Sequence, residues 1–184
     1  MSDELFTVYG NSEIAKGDEN ARFAFYASIG FFIEVAQMLE YNLRKLLCYE
    51  QSVKEIESGE LTKERVTEIC DKYDKYYDDT YADRLTLGAL VNRINKKSCL
   101  FGEFASKLTE INQYRVKIVH SIFQNNIVKP NLTDPNIVRD YTSKRLVPMT
   151  NMTIEINKAI INIIEAYSED LHDYKRQVGL PISK

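Results

Sequence analysis

Tryptophan is absent from these 184 residues, and glycine (7), proline (4), cysteine (3) and histidine (2) are scarce. Each shortage excludes something. Few Gly and Pro leave few encoded turns, which argues against a many-stranded sheet and for long helices. Cys48, Cys70 and Cys99 are odd in number and far apart, so they build no disulfide framework and match no zinc spacing; they read as reduced thiols. A Gly-rich phosphate loop, a Ser-His-Asp order and an HExxH helix are all missing, so neither a cofactor nor a metal is expected. No contiguous apolar run approaches the ~20 residues of a membrane span. The first twenty residues are acidic and polar, unlike a signal peptide. A formal net charge of −3 supplies no field for nonspecific nucleic-acid binding, and no polybasic tail offers a membrane surface. These absences together point to a cytoplasmic protein with no membrane partner.

Hydrophobic residues make up 44% of the chain and charged residues 28%, which places it among globular proteins. Its length suits a single domain over 1–184. Residues 1–17 and 179–184 read as flexible tails. Asp18 is placed to cap a first helix. Phe25, Ile29, Phe32, Ala36, Leu39, Leu43 and Leu46 then recur at alternating steps of four and three, a heptad-like seam running toward Ser58, with Gly59 as the stop. Thr62 opens a second helix, with Arg65 where a capping box would have Glu, and with Val66, Ile69 and Tyr73 on its apolar face. The stretch DKYDKYYDDTYADR follows. It lacks the glycine and terminal glutamate of a calcium loop and reads as a solvated helix end.

Thr86 is placed to cap a short helix, LGALVNRINKK. A fourth helix is expected from about Cys99 to Asn126, its seam formed by Phe101, Phe104, Leu108, Ile111, Arg115, Ile118 and Ile122. Residues 127–150 hold Pro130, Pro135 and Pro148 and read as a long surface loop. A last helix is expected from about Thr150 to Val178, with Ile156, Ile160, Ile163, Tyr167 and Tyr174 on one face, and Gly179 and Pro181 ending it. The fold class is therefore all-α, an up-and-down bundle of about five helices.

Arg115 is the anomaly, because its own helix fills equivalent positions with Phe, Leu and Ile. A buried, unpaired arginine is costly, so it must reach solvent, find a carboxylate or line a polar cleft. Glu34 and Glu40 on the first helix are candidate partners, with Glu40 nearer the seam. His120 lies five residues on, about 140° around an ideal helix. One straight helix does not aim both side chains at one point; two copies about a two-fold axis do so better.

The segment RVKIVHSIFQNN resembles the Arg, four-to-six residues, His motif of the HEPN superfamily. The resemblance extends through GFFIEVAQMLEYNLRKLL, LTLGALVNRINK and LTEINQYRVKIVHSIF, and so covers roughly Phe23 to Asn126 and a closing helix. It implies a HEPN-like bundle forming a homodimer, and in many members a metal-independent endoribonuclease with its site at the dimer interface. Many members are toxins paired with an antitoxin, or phage-defence effectors; others only bind nucleotides or proteins. Carried onto this chain, the resemblance makes Arg115 and His120 the catalytic pair acting on an RNA substrate. Glu40 and Lys117 are supporting residues, and Gln124 is a minor candidate for phosphate contact. The chain departs from the pattern at Val116, where the family commonly has a polar residue. His172, among Glu169, Asp170 and Asp173, reads as a surface residue.

Overall fold

The structure is a computed structural model that describes residues 16–82, 86–97, 104–121 and 134–182. It is an all-α helical bundle, with no strand among the described residues. The helices are α1 (Lys16–Glu57), α2 (Lys63–Ala82), α3 (Leu87–Lys97), α4 (Ala105–Ser121), α5 (Pro135–Tyr141) and α6 (Val147–Gln177). A π-helical turn, Thr142–Leu146, joins α5 to α6 without a break. Expectations for Cys99, Phe101, Ile122, Gln124, residues 127–133 and both extreme ends lie outside the described residues.

The described chain divides into two compact units, one drawn from 1–34 and 113–151 and the other from 35–112 and 152–184. In the first, Ala21, Phe25, Ile29 and Phe32 of α1 form a buried core with Ile118 of α4, Val138 of α5 and Leu146 of the π turn. Phe25 meets Tyr141 edge-on at 6.0 Å, and Phe32 meets Tyr114 at 5.3 Å. Edge-to-face rings of this kind add about 0.5–1.5 kcal/mol beyond the area they bury. In the second, Val53 and Ile56 of α1, Val66 and Ile69 of α2 and Leu171 of α6 form a core, ringed by Tyr49, Tyr73, Tyr167 and Tyr174. The α1 seam from Phe25 to Leu46 is buried at every step.

Two expected caps are in place. Thr62 Oγ1 accepts from the Arg65 amide at 3.3 Å, and Thr86 Oγ1 from the Ala89 amide at 3.4 Å. Arg65, which breaks the capping-box pattern, has another task. Its guanidinium donates to the Glu55 and Glu60 carbonyls and to Ser58 Oγ, satisfying acceptors that the end of α1 leaves open. Gly59 makes room for it: a Cβ there would sit 1.6 Å from an Arg65 nitrogen. At the far end, Gly179 has φ +69°, a conformation suited to glycine. The Gly179 and Leu180 amides donate to the Arg176 and Lys175 carbonyls at 3.1 and 2.8 Å, a Schellman ending.

Several expectations are corrected. The helix begins at Lys16, so Asp18 lies inside it rather than capping it. Residues 134–150 are not loop. Asp134 accepts from the Asn136 amide at 2.9 Å, and Pro135 sits in the first turn, where a missing N–H costs nothing. Leu180 is no free tail, since it packs on the second core beside Tyr174. On α6 the buried positions include Ile164 and Leu171, while Ile163 is only half-buried. An 18-residue window of α1 is apolar enough by length and composition to cross a membrane, although only a third of it is buried. Contiguous apolar runs do not show it because Ser, Gly, Gln and the charged Glu34 interrupt the pattern.

Gly59→Ala is expected to push the Arg65 guanidinium off its carbonyls and to destabilise the protein by about 1–2 kcal/mol. In an Arg65→Ala background the same change becomes neutral or stabilising, since alanine restricts the unfolded chain. Urea unfolding of the four proteins of this double-mutant cycle checks it.

Candidate functional site

Helix α4 carries the expected pair. Leu108, Ile111 and Ile118 are buried along its seam, and Phe104 is half-buried. Arg115 falls on this seam and is half-buried, its Nε closed off from solvent. Lys117 and His120 are exposed, as are Val116 and Val119, both on one side of the histidine (46% and 50% exposed). The structure therefore places Arg115 at the inner edge of the helix and His120 on its outer surface, as the 140° offset requires. The two do not converge within one chain.

Glu40 belongs to the other unit. Its carboxylate accepts from Arg44 Nη2 at 2.6 Å through one oxygen and from the Leu87 amide at 3.1 Å through the other. It thus pairs with the buried Arg44 one turn along α1 and caps α3 together with Thr86. A carboxylate at a helix N-terminus satisfies an open donor and meets the positive end of the helix dipole. Neither bond was legible from the position of Glu40 beside the seam. Close by, Gly88 lets α3 approach Asn112, whose amide nitrogen would lie 3.1 Å from an added Cβ.

Sequence reasoning missed Tyr114 and Tyr141. The Tyr114 hydroxyl donates to the Tyr141 hydroxyl at 3.2 Å, across 27 residues of sequence. With the Phe32 contact, this bond fixes α4 immediately before Arg115. Burial first, and the bond to Tyr141 second, push the Tyr114 phenol well above its ordinary value, while the charge of Arg145 opposes the rise. Arg145 comes from the π turn, in the segment expected to be loop. The pairing of Asp134 with Pro135 is the sequence signal that would have revealed helix there.

Other candidate chemistry is quiet. Burial and Asp74 push the Cys48 thiol up to about 12, and burial raises Cys70, so neither is a ready nucleophile. His172 is half-buried on α6. Among the described residues no group of three His, Cys, Asp or Glu is disposed to hold a metal. No family model, curated protein or solved structure matches the chain.

Tyr114→Phe is expected to cost about 1 kcal/mol at pH 7 through the lost hydroxyl bond. Because the folded-state pKa is raised, the Tyr114 contribution is complete below the unfolded value near 10 and falls as pH rises beyond it. Above that pH the wild type therefore loses stability faster than the variant. Denaturant midpoints of both proteins from pH 7 to 11 measure the convergence.

Proposed function

We propose that the chain is a metal-independent endoribonuclease of the HEPN type, acting in the cytoplasm as a homodimer. Its biological role on this reading is that of a toxin or phage-defence effector, with RNA as substrate and a cognate antitoxin as a possible partner. One observation carries the reading. Arg115 interrupts an otherwise aliphatic buried seam, and an exposed His120 follows it on the same helix. Arginine's planar fork can hold phosphate oxygens bidentately, which suits Arg115 at the inner edge of α4 to a phosphate substrate.

The chemistry requires three things: a base for the ribose 2′-hydroxyl, an acid for the departing 5′-oxygen, and positive charge against the phosphorane. Histidine titrates near neutrality and serves as either base or acid. Two copies of His120 divide those tasks across a dimer, and Arg115 opposes the developing charge. Lys117, exposed on the same helix, adds an outer phosphate contact. Glu40, which accepts from Arg44 and the Leu87 amide, serves as a supporting residue.

A second reading is favoured by the exposed valines. Val116 and Val119 leave an exposed apolar patch on one side of His120, which suits a protein partner better than a phosphate backbone. On this reading the chain is a non-catalytic HEPN-like protein that binds a protein or nucleotide through the same face.

Pure protein incubated with single-stranded RNA and tRNA decides between them. His120→Ala is expected to abolish cleavage, a loss of about 10²–10⁴-fold for a group that transfers protons. Arg115→Ala also costs activity, and Arg115→Lys restores it only in part, since lysine lacks the planar fork. EDTA leaves cleavage unchanged. Cleavage that survives His120→Ala or needs a divalent metal overturns the mechanism. No cleavage of either substrate by the wild type selects the binding reading.

A further inference from the structure

The π turn at Thr142–Leu146 brings together two polar groups that the packing of the helices does not use. Tyr141, at its start, is half-buried, and Arg145, within it, is exposed. The Tyr114 hydroxyl donates to the Tyr141 hydroxyl at 3.2 Å, which leaves Tyr141 its own O–H to donate. Among the described residues the Tyr141 hydroxyl has no further partner, and the Arg145 guanidinium makes no hydrogen bond or ion pair. Ring contacts with Phe25 and Phe32 of α1 hold both tyrosines in place.

Arg145 lies four residues, about one turn, beyond Tyr141. Its charge is close enough to act on the Tyr114 phenol. Burial keeps that phenol protonated, so it remains the donor toward Tyr141. Asp140, the acid next to Tyr141 in the chain, is already paired with Lys144. A planar guanidinium without a carboxylate, beside a tyrosine hydroxyl with a proton to give, is a donor set for phosphate oxygens. Single π turns inside helices are frequently found at functional sites. The location also fits. Tyr114 and Arg115 are consecutive, their Cα atoms ~3.8 Å apart, so the tyrosine pair borders the residue that the ribonuclease reading gives to the scissile phosphate. The chain as a whole is acidic, so affinity for RNA has to come from local donors such as these.

We propose that Arg145 and the Tyr141 hydroxyl form a second phosphate subsite, which holds the backbone of an RNA strand beside the phosphate assigned to Arg115. The proposal rests on the ribonuclease reading for the identity of the strand and adds a binding element outside the Arg115–His120 pair. Neither residue touches the reacting atoms; both act on affinity.

Binding is read by fluorescence anisotropy with a labelled single-stranded RNA. The full chain carries His120→Ala throughout, so that the probe stays intact. Each phosphate neutralised on a single strand contributes about 0.7 to the slope of log K against log salt. Arg145→Ala should weaken binding about tenfold at low salt and lower that slope by about 0.7. Arg145→Lys should keep the slope and recover only part of the affinity, since an ammonium lacks the fork. Tyr141→Phe should weaken binding with the slope unchanged, because it removes a neutral donor. Lys144→Ala, one residue away and paired with Asp140, should bind as the parent does. A loss in Lys144→Ala equal to that in Arg145→Ala means diffuse surface charge and overturns the subsite, as does undiminished binding in Arg145→Ala or in Tyr141→Phe. Absence of RNA binding by the parent overturns both the subsite and the ribonuclease reading. Binding that depends on Arg145, with no cleavage by the wild type, keeps the subsite and rejects the ribonuclease reading alone.

Discussion

A helix of 42 residues that is apolar on two opposite faces buries only one of them in its own core. This constraint on α1 governs much else in the molecule. The inner seam supplies Phe25, Ile29 and Phe32 to one core and Val53 and Ile56 to the other. Full burial of each such side chain stabilises by about 1.5–3 kcal/mol, so the seam contributes to the stability of both units.

Several polar groups on α1 are held by specific partners. Arg44 is buried and meets Glu40, whose second oxygen closes the start of α3. Glu55 gathers Lys72 and the Tyr73 hydroxyl, and these bonds hold its carboxyl below the usual range. Asn42 donates to Asn157 at 2.9 Å. Such pairs are directional where the apolar seam is not, and they fix which turn of one helix faces which turn of another.

Much of this was legible in the sequence, and the reasons are specific. The α1 seam was readable because its period matches a helix over six intervals. Thr62 and Thr86 were readable because a hydroxyl before an apolar-periodic run has a mechanical task there. Arg115 stood out because it broke a pattern that its neighbours kept. What escaped depended on other things. The task of Glu40 lies at the amide of Leu87, 47 residues away, and Tyr141 reaches Tyr114 across 27; no local rule encodes either distance. Three prolines and several turn-forming residues hid the helix at 135–150.

The wide turn at Thr142–Leu146 explains why that helix also evades periodicity. The Val147 amide reaches back five residues to the Thr142 carbonyl, and Pro148, which follows directly, has no amide to donate. Val138 and Leu146 are eight residues apart yet share one core. On a regular α-helix that spacing would turn them about 80° out of line. The extra residue acts as a phase shifter that brings two stretches with mismatched patterns back into step. Insertions of this kind are how a helix absorbs a one-residue lengthening without exposing its core. By the same logic the shifter is reversible. Removing one residue here would restore an ordinary turn and leave Val138 and Leu146 seven residues apart, about 20° from alignment on a regular helix, so the segment absorbs that deletion with its core still in register.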